Sequence, residues 1–107
     1  MSDESPYLKE MAKDEYFPPE LVRKGQEILE RLDAAIAENP PDDVESLMEL
    51  THAATEEFNE LAEEFGEHDS EIETGAREDI AASFAIVLDK YGFGDVDIED
   101  VIAPRDW

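Results

Sequence analysis

The sequence predicts an all-α fold: a small antiparallel helical bundle of three long helices with a short helix at each end. Apolar residues recur at i, i+3, i+4 and i+7 over three long stretches, which is the spacing of one helix face. Proline, glycine and N-capping residues separate these stretches at short intervals. Alternation typical of a strand occurs only over 95–98, where two aspartates disfavour a strand. The 107 residues are predicted to form one domain, with an N-terminal segment (1–17) and the bundle (18–107).

The first long helix is predicted over 19–38. Tyr7, Leu8 and Met11 are spaced for a short helix before it, and Pro18 with Pro19 breaks the chain because neither residue has a backbone N–H. Proline is also favoured at the first position of a helix. The face expected to be buried consists of Leu21, Val22, Gly25, Ile28, Leu29, Leu32, Ala35 and Ile36.

The second long helix is predicted over 43–65. Asp42 and Glu45 have the spacing of an N-cap and its reciprocal partner, and Gly66 is expected to follow the last turn. One face of this helix is apolar, and its opposite face is therefore expected in solvent. That outward face is acidic throughout: Glu45, Glu49, Glu56, Glu60, Glu63 and Glu67.

The third long helix is predicted over 71–91, with Ser70 and Glu73 as a capping box at its start. Gly92 is expected to end it, followed by the apolar contact of Phe93. Apolar residues occupy most sides of this helix, which is typical of the central and most buried helix of a bundle. Asp97 is expected to cap a last short helix over 98–102.

The charge distribution is strongly uneven. Between Arg31 and Arg77 the chain has fifteen carboxylates and no lysine or arginine, and the formal net charge of the whole chain is -23. Nucleic-acid binding and binding to anionic membranes both need basic side chains, so the composition argues against both. If charge selects a partner, that partner is basic.

Composition also bounds the location and the chemistry. The chain has no cysteine, which excludes disulfides, thiolate metal sites and thiol nucleophiles. No apolar run reaches the length of a membrane span, and the acidic N-terminus does not resemble a signal peptide. The sequence therefore predicts a cytoplasmic protein. It contains no recognisable cofactor motif.

Several blocks of the sequence carry a resemblance to a known family. The blocks lie at 15–18, 21–22 and 24–26, at 50–56, at 70–74 and 76–78, and in the ending Arg105-Asp106-Trp107. In this order, over nearly the whole chain, they resemble a small bacterial family known only as a domain of unknown function. The resemblance implies a bacterial, soluble protein of one domain, and it implies no activity and no site residues.

His52 is the first residue to test for metal or enzyme chemistry. Glu49 and His52 form one Glu-x-x-His pair, but a di-iron bundle needs two such pairs and further glutamates. By helical phase, Glu49 points towards solvent. The interpretation favoured for His52 is an ordinary surface or boundary residue, and the sequence predicts no metal site.

Three functions remain open at this point. The favoured one is a non-enzymatic module that engages a basic partner. The alternatives are an acidic domain adapted only for solubility, and a metal-dependent enzyme that uses His52. The tail Arg105-Asp106-Trp107 either packs its indole over the end of the bundle or offers an exposed anchor, since Trp and Arg are favoured at binding hot spots. The candidate partner-binding residues are Glu49, Glu56, Glu60, Glu63, Arg105 and Trp107.

Overall fold

The computed structural model describes residues 7–68 and 74–107, and the regular secondary structure in these two ranges is entirely α-helical. This confirms the predicted small all-α bundle of three long helices and two short ones. The helices in chain order are α1 (Lys9–Lys13), α2 (Pro19–Glu38), α3 (Val44–Glu67), α4 (Thr74–Lys90) and α5 (Ile98–Val101).

Most helix ends lie where local chemistry predicts them. Helix α2 has the predicted bounds, with proline at its first position. Helix α4 ends in a Schellman motif: Gly92 has a φ of 82°, and the N–H of Phe93 donates to the carbonyl of Leu88 at 2.8 Å. The Asp97 carboxylate accepts a hydrogen bond from the N–H of Glu99 at 3.0 Å, so Asp97 caps α5 as predicted.

Both ends of α3 differ from the prediction. The N-cap is Asp43 rather than Asp42, since the Asp43 carboxylate accepts a hydrogen bond from the N–H of Ser46 at 2.8 Å. The helix also continues through Gly66 to Glu67. A glycine ends a helix when its backbone turns to positive φ, and Gly66 does not. The capping box predicted at Ser70 and Glu73 lies outside the described residues.

The central helix of the bundle is α2, not α4. Helix α2 packs against α1, α3 and α4, and it runs antiparallel to α3, because Lys24 pairs with Glu64 whereas Arg31 pairs with Glu57. The prediction that α4 is the most buried helix was wrong, since Ala82, Ala85 and Ile86 are exposed. Apolar composition shows how much a helix could bury, but it does not supply the neighbours that would cover it.

Gly25 marks the closest approach between α2 and its neighbours. A Cβ atom at this position would lie 2.7 Å from the Leu8 Cδ1, 3.2 Å from the Phe58 Cε1 and 3.3 Å from the Leu61 Cδ2. Phe58 in turn contacts the rings of Phe84 and Trp107, at centroid distances of 5.8 and 6.2 Å. The missing side chain of Gly25 therefore allows the core of the bundle to close.

The start of α1 depends on polar groups from other helices. Leu8 has a φ of 53°, an unusual value for a leucine, and no side chain of its own segment caps the helix. Instead the N–H of Leu8 donates to the Ser83 hydroxyl, and the N–H of Met11 donates to the Asp79 carboxylate, both at 2.9 Å. The Gln26 amide donates to the carbonyl of Tyr7 at 3.1 Å. Long-range contacts thus fix a helix of only five residues.

We predict that Gly25→Ala lowers the free energy of unfolding by about 1–3 kcal/mol, which is the usual cost of overpacking a core. Alanine is the better helix former by about 1 kcal/mol, but here its methyl group would displace Leu8 and crowd two α3 side chains. Gly66→Ala is the matched control, because nothing lies within 4 Å of its added methyl group. It should gain up to about 1 kcal/mol. Urea unfolding of both variants measures these changes in the free energy of unfolding. A Gly25→Ala protein as stable as Gly66→Ala would contradict the role given to Gly25.

Candidate protein-interaction surface

The carboxylates of α3 are divided into two rows by their neighbours. The inner row faces α2 and is partly neutralised: Glu57 pairs with Arg31 at 2.7 Å, and Glu64 pairs with Lys24 at 2.6 Å. All four of these side chains are at least 40% exposed, so the two ion pairs contribute little stability. They nevertheless use two of the three cations of α2 to offset charge on α3.

The outer row, which we call the acidic face, consists of Glu49, Glu56, Glu60 and Glu63; Glu60 stands at its edge and also lines the groove between α2 and α3. All four residues are exposed, and none forms an ion pair with a residue that the structure describes. Carboxylates three and four residues apart on a helix are neighbours, and each such pair destabilises the helix by about 0.2–0.5 kcal/mol. From Glu49 to Glu63 the acidic face extends along about 21 Å of helix axis.

Trp107 is not an exposed anchor. Trp107 is only 8% exposed, and its ring packs against Phe58. The Arg105 guanidinium lies 5.8 Å from the centre of the indole and 3.6 Å from the Glu99 carboxylate. The idea that Trp107 offers its indole to a partner was therefore wrong, because the tail completes the core. The structure agrees with the alternative interpretation in that the indole packs against the bundle, where it contacts Phe58.

Polar side chains of α3 hold both α5 and this tail in place. The Asn59 amide donates to the carbonyl of Pro104 at 3.0 Å and accepts from the N–H of Asp106 at 2.7 Å. The Thr55 hydroxyl lies 3.3 Å from the carbonyl of Val101. These residues lie on the same side of α3 as His52, at i+3 and i+7 from it. That spacing of polar residues beside an apolar stripe is the signal that sequence reasoning overlooked.

His52 also belongs to this set of contacts. Its Nε2 lies 2.8 Å from the carbonyl oxygen of Asp100, and a carbonyl can only accept, so Nε2 carries the proton and donates. The structure therefore gives His52 a positioning role at the C-terminal end of the chain. Within 7–68 and 74–107 no three His, Asp or Glu side chains come close enough together to hold a metal ion.

A second polar cluster, centred on Asp33, joins α2 to α4 and to the segment before α1. The Tyr7 hydroxyl donates to the Asp33 carboxylate at 2.8 Å and the Lys90 ammonium donates at 2.9 Å. The Tyr91 hydroxyl donates to the same carboxylate. Sequence reasoning missed this cluster. The available signal was that Asp33 lies between Leu29 and Ile36 on the buried side of α2, at i+4 and i−3.

The cluster shifts the pKa of each of its members. Burial opposes ionisation of Asp33, but the hydrogen bonds from Lys90, Tyr91 and Tyr7 outweigh it, so the pKa of Asp33 is lowered. Burial, together with the hydrogen bond to the anionic Asp33, raises the pKa of Tyr7. The hydrogen bond to Asp33 raises the pKa of Lys90 and that of Tyr91. At neutral pH the cluster therefore holds one carboxylate, one ammonium and two protonated phenols.

Elsewhere burial raises the pKa of Asp79, and the hydrogen bond from the N–H of Met11 only partly offsets this effect. Asp79 thus serves the fold as a cap for α1.

In the part of the chain that the structure describes, no helix is both long enough and apolar enough to cross a membrane.

Comparison with known families places the chain as a whole. One family model matches residues 1–107, which is the full length of the sequence. The chain belongs to a family of unknown function (DUF5713). Membership confirms the resemblance predicted from the sequence, and the family assigns no activity. No curated protein and no solved structure is significantly similar to this chain.

We predict that Tyr7→Phe lowers the free energy of unfolding at pH 7 by about 1.5–3 kcal/mol, the usual contribution of a hydrogen bond to a charged group. The pKa of Tyr7 is higher in the folded protein than in the unfolded chain, where tyrosine has a pKa of about 10. The Tyr7 hydroxyl therefore contributes its full stabilisation of the fold below about pH 10, and this contribution is lost as the pH rises through the folded-state pKa. The difference between wild type and Tyr7→Phe should therefore shrink above pH 10. Urea unfolding from pH 7 to pH 11.5 measures it, and a constant difference would contradict the assignment.

We also predict that Asn59→Ala lowers the free energy of unfolding by about 1–3 kcal/mol, since two groups of the tail lose their hydrogen-bond partner. Trp107 is the only tryptophan, so its fluorescence reports on the tail directly. Its emission should shift to longer wavelength in Asn59→Ala as the indole meets water. Asn39→Ala, at an exposed position, is the control and should change stability by less than about 0.5 kcal/mol. An unchanged Trp107 emission in Asn59→Ala would show that Asn59 does not hold the tail.

Proposed function

We propose that this protein is a non-enzymatic interaction module that binds a basic partner through the acidic face of α3. The observation that carries the proposal is the separation of the α3 carboxylates into two rows. The fold pairs Glu57 and Glu64 with cations of α2, whereas Glu49, Glu56, Glu60 and Glu63 form no ion pair with a described residue. The proposal includes the cytoplasmic location and the bacterial source that the sequence predicts.

The physical argument for the proposal is that repulsion among the carboxylates of the acidic face destabilises the free protein, and a basic partner would relieve it. The carboxylates repel one another in the free protein, and lysine or arginine side chains of a partner would turn this repulsion into attraction. A helix also holds the backbone of these residues at fixed spacings, so a partner would have to order only their side chains. Such a surface is expected to act mainly on the rate of association and on partner choice.

Two alternatives predict different behaviour. If the acids serve only solubility, added salt should raise the melting temperature strongly, and no basic protein should be selected by position on the surface. The geometry does not favour a metal-dependent enzyme built on His52, because among residues 7–68 and 74–107 no three His, Asp or Glu side chains come close enough together to hold a metal ion. The acidic face therefore remains the surface to test.

The test is a charge-matched comparison of two fourfold variants. One replaces the acidic face with glutamine at Glu49, Glu56, Glu60 and Glu63. The control replaces four exposed glutamates on other surfaces, at Glu15, Glu20, Glu38 and Glu78. We expect a fluorescent oligolysine to bind the wild type and the control in 50 mM salt and to be released in 500 mM salt. Removal of the acidic face should weaken binding about tenfold more than the control does, since its charges act together.

The same immobilised proteins should then retain basic proteins from cells that make this chain. Proteins retained by the wild type and by the control, but not by the acidic-face variant, would be the partners expected. Equal loss of oligolysine binding in both fourfold variants would mean that only net charge matters, and the proposal would fail. A steep rise of melting temperature with salt in that case would favour the solubility alternative.

A further inference from the structure

The outward side of α4 is an apolar helix face that no described element covers. Ala82, Ala85 and Ile86 are exposed there, and Ile86 is 44% exposed although it is one of the larger apolar residues of the chain. The other side of α4 packs against α1, α2 and α5. Over 82–86 this helix therefore has apolar residues on two sides but is covered on one.

A groove lies on each flank of this face. The first, of about 370 Å³, separates α4 from the segment 93–98. The second, of about 610 Å³, separates α4 from α2 beside the Asp33 cluster. Ile86 and Asp89 line both grooves, so they form the ridge between them. The apolar residues around the first groove include Ala85, Leu88, Phe93, Val96 and Ile98.

Asp89 places a free carboxylate on this ridge. It lies three residues after Ile86, on the same side of the helix. A Cβ at Gly94 would come within 2.9 Å of its Oδ1, so the absence of a side chain at Gly94 leaves room for the carboxylate. Asp89 has no ion pair with any residue in the described ranges. The ridge thus presents one exposed aliphatic and one unneutralised acid side by side.

The surroundings of the grooves are acidic as well. In the segment beside the first groove, Asp95 and Asp97 are exposed, and neither forms an ion pair with a described residue, although the Asp97 carboxylate also caps α5. Lys90 is the one basic residue that lines either groove, and it already donates to Asp33. Electrostatic complementarity therefore selects a cationic occupant for an apolar groove, and disfavours an acidic one.

We propose that this face of α4 is a docking surface for a basic amphipathic helix of another protein. The apolar side of that helix would cover Ile86 and enter the grooves, and its lysine or arginine side chains would reach Asp89 and the acids beside it. A second copy of this chain fits poorly, because each copy carries a net charge of -23 and brings the same acidic rim. Residues 1–6 also fit poorly, since they hold two acidic side chains and no basic one. This surface is separate from the acidic face of α3 and does not depend on it.

The probe is a fluorescent helical peptide of leucine and lysine with one apolar and one basic side. A sister peptide replaces its leucines with glutamine at the same charge, and another replaces its lysines with glutamate. Fluorescence anisotropy in 150 mM salt measures binding to the full chain. We expect the leucine–lysine peptide to bind, the glutamine sister to bind at least about tenfold more weakly, and the glutamate sister not to bind. Equal binding of the first two peptides would overturn the proposal.

Matched variants locate the site. Ile86→Ser should weaken binding of the peptide about tenfold, and Asp89→Asn about threefold with a weaker dependence on salt. The controls are Val44→Ser and Asp42→Asn, since Val44 is as exposed as Ile86 and Asp42 is also in solvent. Both controls should stay within twofold of the wild type. Equal weakening by Val44→Ser would overturn the proposal.

Chemical-shift mapping provides a readout that does not depend on any variant folding. Peptide-induced changes of backbone amide resonances should concentrate in residues 82–98. Changes concentrated on α3, together with loss of binding in the acidic-face variant but not in Ile86→Ser, would overturn this inference and support the function proposed above. Sedimentation of the protein alone should show monomers. A dimer that Ile86→Ser dissociates would mean that a second copy is the occupant, and would also overturn the inference.

Discussion

The close contact at Gly25 is the constraint on which the rest of the bundle depends. Because α2 has no side chain there, Leu8, Phe58 and Leu61 all approach its backbone. Leu8 brings the segment before α1 onto α2, and the two α3 residues set the spacing of the α2–α3 hairpin. Phe58 then serves as the platform for Phe84 of α4 and for Trp107 of the tail. The absence of a side chain at Gly25 thus permits the packing of the segment before α1, of α2, α3 and α4, and of the C-terminus.

The two short helices show how a chain with a modest core fixes its ends. Helices of five and four residues cannot persist alone in water, because nucleation costs more than so few hydrogen bonds return. Here the long helices supply the missing partners: Ser83 and Asp79 of α4 bind the start of α1, and Asn59 of α3 binds the tail beyond α5. The polar residues that look like candidates for chemistry therefore mostly serve to attach the ends. His52 is the clearest case.

Local sequence patterns predicted the features of the fold that depend on residues close together in the chain. The bounds of α2, the Schellman end at Gly92 and the cap at Asp97 each follow from residues within a few positions, and each was predictable. Gly66 shows the limit, because a glycine permits a helix end but does not require one, and α3 continues past it to Glu67. The position of α4 and the Asp33 cluster depend on pairs of residues far apart in sequence. Asp33 and Tyr91, for example, are 58 residues apart, and no local pattern joins them.

The structure also changes what the net charge of -23 means. Some acids are used by the fold: Asp33 organises a hydrogen-bonded cluster, Asp79 caps α1 from a distance, and Glu57 and Glu64 meet cations of α2. These acids need no functional explanation. Among the remaining acids, those of the acidic face of α3 and Asp89 on the ridge of α4 lie on the two surfaces proposed above to bind a partner.

These two places differ in kind, and the difference matters for what each could bind. The acidic face has charge without an apolar centre, which suits long-range attraction and loose, salt-sensitive contact. The α4 ridge has an exposed aliphatic beside its carboxylate and a groove on each side, which suits a contact that buries surface and persists. A basic amphipathic partner could be attracted by the first and held by the second. Because the two surfaces lie on different helices, variants at one should alter association rate and salt dependence, while variants at the other should alter the rate of dissociation.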